Sequence, residues 1–215
     1  DSHRCAINQI IQHHLGETPG YKVLDLGVCN GSFLEKLKPY MPLAEFTGID
    51  ISKEMLECAE QTIPLKTIEG TAARASQYLP LHSQDLVLAH FINAYISIQD
   101  LFNQASLLTC NNGYFSLITT TYDSFPIAQQ QLATFIAQDS LISSIVGHYY
   151  KAMVRNSTVA ANENELFAKL HQQGLNLIDC RSKDQAQHHF CIGEPEKERC
   201  ANRRERTHPY ACHLC

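Results

Sequence analysis

The feature that most restricts the fold is an apolar strand that runs into a glycine-containing turn and then a helix, KVLDLGVCNGSFLEKL at 22–37. Gly27 permits a sharp turn of the backbone, and Gly31 lets the helix begin close to the strand and to a ligand. Ser32 and Glu35 have the S-x-x-E spacing of a capping box, which predicts that Ser32 caps the helix. Such a turn is typical of α/β proteins that bind ligands at the carboxyl ends of their strands.

The alternation of strand and helix continues along most of the chain. Four further apolar segments predict strands: EFTGIDIS, PLKTIEG, DLVLAHF and YFSLITTT. An amphipathic helix is predicted ahead of the first strand over 3–15, and the turn CNNG ahead of the fifth. Because these strands are too apolar to face water on either side, we predict a mostly parallel sheet with helices on both faces.

The second half of the chain divides into three regions. Residues 122–161 depart from the alternation and are predicted to form a variable helical lid. The segment ENELFAKLHQQG predicts a helix that begins at Asn162, and LNLIDC and HHFCIG predict two closing strands. Apolar periodicity stops at Glu194. We therefore predict one domain over 1–193 and a Cys/His-rich tail over 194–215.

Composition excludes several functional classes. The formal net charge of −5 disfavours a general nucleic-acid binder, which needs a basic surface. No segment approaches the roughly 18 consecutive apolar residues that a membrane-spanning helix requires, so no membrane partner is expected. The nine cysteines are scattered and odd in number, which is typical of reduced thiols in a cytoplasmic protein rather than of a secreted disulfide framework.

Two aspartates bear on what the glycine turn binds. Asp25 precedes Gly27 by two positions, and Asp50 ends the second strand at about the interval where an acidic side chain meets a ribose hydroxyl pair. A dinucleotide fingerprint, G-x-G-x-x-G, would lack two of its three glycines here. An acidic residue followed by G-x-G-x-G lacks only the middle glycine, at Cys29. We expect a negative φ at Cys29, where a small side chain would fit without cost.

The segment VLDLGVCNG, together with FTGIDIS, resembles motif I and the next motif of the class I S-adenosylmethionine-dependent methyltransferases, in their small-molecule, type-11/12-like form. The order of elements over about 3–193 is similar too. The resemblance implies a Rossmann-like, seven-stranded and mostly parallel sheet with an antiparallel last strand and helices on both faces. It also implies S-adenosyl-L-methionine as the cofactor.

The resemblance assigns roles to residues at the ends of the first four strands. Asp25 would contact the methionine end of the cofactor, Asp50 would accept from both ribose hydroxyls, and Ile51 would pack on the adenine. Thr71 stands where the family often has an aspartate beside the adenine amine. The predicted cofactor-binding set is Asp25, Gly27, Val28, Cys29, Gly31, Asp50, Ile51, Thr71, Ala72, His90 and Phe91.

Methyl transfer from a sulfonium is an in-line displacement, so alignment of the acceptor matters more than acid–base chemistry. His90 is the candidate general base, because its position should face the cofactor and its pKa should lie near neutrality. The alternative is that His90 is only a hydrogen-bonded structural residue. The predicted acceptor-binding residues are Asn93, Tyr95, Tyr149, Tyr150 and Arg155.

The tail contains a Cys-x-x-Cys pair at Cys212 and Cys215, a spacing that chelates zinc. Cys200 and His208, or Cys191, could complete four ligands. We predict a structural zinc site of Cys200, His208, Cys212 and Cys215. The alternative is a polar tail without metal.

These observations predict an enzyme that methylates a small molecule at oxygen, nitrogen or carbon. One alternative is a protein or RNA methyltransferase that uses the tail as a docking module. Another is a non-catalytic partner subunit with the cofactor fold, because Cys29 and Thr71 depart from the motif. The oligomeric state is not predicted from these patterns.

Overall fold

A computed structural model of the chain describes residues 2–121, 130, 134, 160–181 and 188–195. Within them, seven strands form one sheet in the order β3-β2-β1-β4-β5-β7-β6. The strands are β1 (Lys22–Leu26), β2 (Glu45–Asp50), β3 (Lys66–Glu69), β4 (Gln84–His90), β5 (Thr109–Thr120), β6 (Leu175–Arg181) and β7 (His188–Pro195). The seven strands and the α/β class confirm the predicted architecture.

Strand direction also follows the prediction. The pairs formed among β1 to β5 are parallel, and β7 is antiparallel to both β5 and β6. The strand order reverses beside β1, which lies between β2 and β4. In open α/β sheets, ligands bind at the carboxyl ends of strands at such a reversal. The glycine turn that follows β1 lies at this edge.

Two predicted boundaries were wrong. The segment CNNG lies inside β5 rather than in a turn before it, next to a register irregularity between β4 and β5. Asn112, within that segment, has a φ of 68°. At the other end, β7 includes Glu194 and Pro195, which pair with β6, so the sheet reaches two residues into the predicted tail.

Five α-helices connect the strands of the described chain. They are α1 (Ser2–Gln12), α2 (Ser32–Leu37), α3 (Lys53–Thr62), α4 (Ile98–Leu108) and α5 (Glu163–Gln172). Short 3-10 turns occur at Lys38–Tyr40, Ala72–Gln77 and Ile92–Ala94. Among these helices, none is long and apolar enough to cross a membrane.

Side-chain caps begin two of these helices where the sequence predicts them. Ser52 accepts from the Met55 N–H at the start of α3, and Asn162 accepts from the Glu165 N–H at the start of α5. The predicted capping box of α2 was wrong, because its cap is Gly31, with no side-chain cap bond. Ser32 is instead the first helical residue, since the turn ends in a left-handed conformation at Gly31.

Two apolar cores lie on opposite faces of the sheet. One joins α1 and α2 to alternate residues of the central strands, among them Val23, Leu86 and Leu88. The other joins α4 and α5 to the intervening positions, among them Leu24 and Val87. Side chains along a strand alternate between faces, which explains why these strands are apolar throughout.

Most of the predicted lid at 122–161 and the tail from 196 onward lie outside the described residues. The domain boundaries proposed for them stay predictions.

Candidate active site

The turn after β1 depends on three left-handed residues at alternate positions. Gly27, Cys29 and Gly31 have φ values of 80°, 51° and 77°. The Gly27 and Val28 N–H groups donate to the Ile49 carbonyl, at 2.8 and 3.0 Å, and so fix the turn against β2. The expectation of a negative φ at Cys29 was wrong, because the turn requires the left-handed conformation there as at its neighbours. A left-handed non-glycine residue costs about 1–2 kcal/mol.

The carboxylate of Asp50 lies beside this turn. Its Oδ2 accepts from the Cys29 N–H at 2.8 Å, and its Oδ1 accepts from the Ser52 N–H at 3.0 Å. These two bonds hold the carboxylate at the carboxyl end of β2 and leave each oxygen with capacity to accept again. Ile51, the next residue, is 71% exposed, which is unusual for an aliphatic side chain beside a polar site.

Asp25 supplies a second acidic group at the same edge. It is buried on β1, and burial, followed by the charge of Asp50, raises its pKa from 3.8 to about 7. Near neutral pH, the site therefore holds one carboxylate and a second acid that is close to its midpoint. A cationic ligand would favour ionisation of Asp25, because it would offset both causes of the shift.

The end of β3 closes the same edge from the far side of β2. The Gly70 N–H donates to the Asp50 carbonyl at 2.9 Å. Thr71 caps the short turn Ala72–Gln77, with its Oγ1 accepting from the Ala73 N–H at 3.3 Å, and Ala72 is buried. The Thr71 hydroxyl therefore takes a capping role at the place where the family resemblance expects an aspartate.

His90 ends β4 and points to the face that carries α1 and α2. Its Nε2 lies 3.2 Å from Ser116 Oγ, and its ring meets Phe33 edge-on at a centroid distance of 4.3 Å. Burial, followed by the nearby His3, lowers the His90 pKa from 6.5 to about 3. The expectation of a pKa near neutrality was wrong, because the imidazole is buried against the rings of Phe33 and His3 and its charged form is disfavoured.

Phe91 follows in a left-handed conformation, with a φ of 59°, and its N–H donates to the Ile118 carbonyl at 2.8 Å. Its side chain is 37% exposed. Phe91 and Cys29 are two of five non-glycine residues with positive φ in the described chain, and both lie at the carboxyl edge of the sheet. Backbone strain of this kind clusters at functional sites.

The chain is similar to known methyltransferases in part of its sequence and in its fold. Residues 23–113 match a family model described as a methyltransferase domain. A methyltransferase of Methanosarcina mazei described as SAM-dependent superposes with a TM-score of 0.64 at 14% identity, over 87% of this chain and 98% of that one. The N-methyltransferase NodS of Bradyrhizobium japonicum gives 0.59 at 12% identity, over 91% and 97%. Residues 23–113 thus resemble a methyltransferase domain, and the chain shares its fold with S-adenosylmethionine-dependent methyltransferases.

A third similar structure is a geranyl diphosphate methyltransferase in complex with SAM. It has a TM-score of 0.63 and 11% identity, with 90% of this chain and 85% of that one covered. At these identities the structural likeness reports the fold. No curated protein matches the sequence of this chain significantly.

The side chains at this edge of the sheet are chemically suited to S-adenosylmethionine. Asp25 and Asp50 suit a ligand with a positive charge and a ribose diol, and the exposed Ile51 offers an apolar surface for a flat base. Gly27 is needed for its φ and also for space, because a Cβ there would lie 2.7 Å from Ile92 Cδ1.

The two predicted acceptor-binding residues that the structure describes differ in exposure. Asn93 is buried, and Tyr95 is 85% exposed, so the two do not form one surface. The residues Tyr149, Tyr150 and Arg155 lie outside the described residues, as do the proposed zinc ligands Cys200, His208, Cys212 and Cys215. Within the ranges described, no group of three or more His, Cys, Asp or Glu side chains is arranged to hold a metal ion.

Two residues that line this edge are not among the predicted site residues. His3, on α1, stacks with His90 at a centroid distance of 6.0 Å, and Phe33, in the first turn of α2, meets both rings. The sequence signal for Phe33 is its position two residues after Gly31. For His3 the sequence offers only a place on an amphipathic helix.

Proposed function

We propose that this methyltransferase transfers the methyl group of S-adenosylmethionine to a small-molecule acceptor. The observation that carries the proposal is the Asp50 carboxylate, fixed against the glycine turn by the Cys29 N–H at 2.8 Å. That arrangement offers two carboxylate oxygens to a vicinal diol beside a backbone turn that leaves room for the rest of a nucleoside.

In this proposal, the cofactor-binding residues divide by chemical task. Asp50 accepts from the ribose hydroxyls, and Asp25 lies toward the positively charged methionine end. Ile51 packs on the adenine, with Thr71 and Ala72 near its amine. Gly27 to Gly31 wrap the molecule with backbone, and His90 and Phe91 border the methyl group.

The bound cofactor supplies an activated methyl group with a neutral thioether as the leaving group. The protein then has to align the acceptor and keep water away from it. The aromatic rings at the end of β4 suit both tasks, because Phe33 is buried and Phe91 is partly exposed beside it. The neutral His90 is suited to orienting an acceptor by a hydrogen bond rather than to carrying charge.

A small acceptor is supported by one of the similar structures, which is a geranyl diphosphate methyltransferase. The net charge of −5 gives an RNA acceptor little electrostatic support. We also propose a cytoplasmic location, because nine scattered cysteines, an odd number, are typical of reduced thiols.

Calorimetric titration of the purified chain with S-adenosylmethionine tests the proposal. We expect one site per chain, with NAD as a control that does not bind. No detectable binding by folded protein would favour the partner-subunit alternative, and binding of NAD alone would favour a dinucleotide site. Isotopic label transferred from the cofactor to small molecules of a cell extract, rather than to its protein or RNA, would support the acceptor class.

The structural zinc in the tail is a separate proposal, because its four ligands lie outside the described residues. Metal analysis of the same protein tests it. We expect about one equivalent of zinc, lost in a Cys212→Ser, Cys215→Ser double variant. Less than about a tenth of an equivalent in the unaltered chain would overturn it.

A further inference from the structure

Four rings meet at the carboxyl end of β4, on the face of the sheet that α1 and α2 cover. His3 lies 5.1 Å from Phe33 and 6.0 Å from both His90 and Phe91, measured between ring centroids. Phe33 completes the group by meeting His90 at 4.3 Å. These four residues, His3, Phe33, His90 and Phe91, are called the ring cluster below.

The ring cluster lies on the same side of the sheet as Asp25. Leu88 packs in the core formed with α1 and α2, and His90 is two residues further along the same strand. Asp25 pairs in register with Leu88. Because alternate residues of a strand point to one face, Asp25 and His90 lie on the same side of the sheet on neighbouring strands. The cluster therefore adjoins the methionine end of the proposed cofactor site.

One polar atom of the cluster lacks a partner. His90 Nδ1 is buried and has no hydrogen-bond partner among the described residues, while Nε2 is engaged with Ser116. A buried polar atom without a partner costs about 1–3 kcal/mol, so it points to a ligand that supplies one. A neutral imidazole offers a single hydrogen-bonding atom there.

Burial acts on both histidines of the cluster, and each is partly exposed. Burial, followed by the nearby His3, lowers the pKa of His90 to about 3, so this ring stays neutral at physiological pH. The pKa of His3 is lowered from 6.5, first by burial and then by the charge of Lys36 on α2. His3 is therefore a neutral base near pH 7.

We propose that the ring cluster is the acceptor subsite, that its acceptor is a hydroxyl group on a flat apolar body, and that His3 is the residue that takes the hydroxyl proton. The proposal rests on the proposed function. His90 then fixes the acceptor through Nδ1, and the phenylalanines enclose its body. As the acceptor O–H bond breaks and its proton passes to His3, the oxygen forms a bond to the methyl carbon, whose bond to sulfur breaks with both electrons left on sulfur.

Charge favours a hydroxyl over an amine at this place. An aliphatic amine is a cation at neutral pH, and the charge of Lys36 that acts on His3 would oppose its approach. A phenolic hydroxyl is neutral until it loses its proton, with a pKa of about 10. Such an acceptor needs a base, and His3, whose ring packs against that of His90, can supply one.

Two phenols separate proton transfer from mere placement. Phenol and 4-nitrophenol have similar bodies, but the nitro compound is much more acidic and needs a base less. In a His3→Gln variant we expect kcat/KM for phenol to fall on the order of 10²-fold, and for 4-nitrophenol by less than about tenfold. The control is His171→Gln, an exposed histidine of α5, which should leave both values unchanged. Equal losses for the two phenols would show that His3 only positions the acceptor.

A binding measurement on the unaltered protein does not depend on how the variant folds. With S-adenosylhomocysteine present, we expect 4-nitrophenol to shift the histidine ring NMR signals of His3 and His90 but not that of His171. Benzylamine, which carries a cationic aliphatic amine on a similar flat body, should be bound and methylated at least tenfold less well than phenol. Equal use of the amine would overturn the hydroxyl assignment.

The failure of this inference is distinguishable from failure of the proposed function. Normal titration by S-adenosylmethionine, with neither transfer to the phenols nor a shift at His3 and His90, would overturn the acceptor subsite alone. Absence of cofactor binding by the folded protein would overturn the proposed function itself.

Discussion

The proposed cofactor end and the proposed acceptor end of the site are built in different ways. At the cofactor end, Asp25, Cys29 and Asp50 come from one strand, the turn after it and the next strand, and backbone N–H groups of the turn donate to the second strand and to Asp50. At the acceptor end, His3 and His90 come from the first helix and the fourth strand, and their rings pack together. The proposed cofactor end is therefore a local motif, whereas the proposed acceptor end is a product of tertiary packing.

Burial disfavours the charged form at both ends, so it shifts the two pKa values in opposite directions. It raises the pKa of Asp25 to about 7 and lowers that of His90 to about 3, because in each case the charged form loses hydration. At neutral pH, the cofactor end retains negative charge through Asp50, and the acceptor end has a neutral imidazole. This difference suits a cationic cofactor at one end and an uncharged acceptor at the other.

The largest expected effect concerns Asp50. An Asp50→Asn variant has one acceptor oxygen in place of two charged ones, so it loses the bond from either Cys29 or Ser52 and the charge on the ribose. We expect S-adenosylmethionine binding to weaken at least about 100-fold by calorimetry. The control, Glu57→Gln on the exposed face of α3, should bind normally. A loss below about threefold for Asp50→Asn would contradict the assigned role.

The next effect is a pH dependence due to Asp25. A cationic ligand favours the ionised acid, so affinity for S-adenosylmethionine should rise about fivefold from pH 6 to 7 and level off above about pH 8. Its folded-state pKa is raised from 3.8 to about 7, so its contribution to stability is full below about pH 4 and is lost as pH rises to 7. Asp25→Asn should flatten both profiles. An unaltered affinity profile in that variant would contradict the prediction.

Helix caps test whether the scaffold and the site respond separately. Ser52→Ala and Asn162→Ala each remove one cap, at α3 beside the site and at α5 away from it. We expect each to lower the free energy of unfolding by about 1 kcal/mol in urea titrations. Cofactor affinity should change less than about threefold in both. A large affinity loss in Ser52→Ala alone would show that this cap belongs to the cofactor end.

The smallest expected effect is at Cys29. Cys29→Gly relieves a left-handed side chain but adds backbone entropy to the unfolded chain, so we expect a net gain below about 1 kcal/mol with cofactor binding retained. Cys29→Val places a β-branched residue at a φ of 51° and should lose more than about 1 kcal/mol. Thermal unfolding of both variants measures the difference. A more stable valine variant would contradict the conformation of this turn.

Sequence patterns predicted most of the fold because they report local geometry. The apolar runs and the helix signals at Ser52 and Asn162 gave the order of strands and helices, and the acidic glycine turn gave the cofactor end. Where the prediction failed, a local rule was overridden. Gly31 rather than Ser32 caps α2, and CNNG lies inside β5 because Thr109 and Tyr114 on either side of it pair with β4.

The amino-acid sequence by itself determined the alternating α/β plan, the turn from Asp25 to Gly31 and the acidic end of the second strand. Only the tertiary structure decided that Cys29 is left-handed, that His90 is neutral and that His3 lies beside it. The physical reason is that periodicity and turn chemistry depend on near neighbours, whereas burial and contact between distant residues depend on how the helices pack against the sheet.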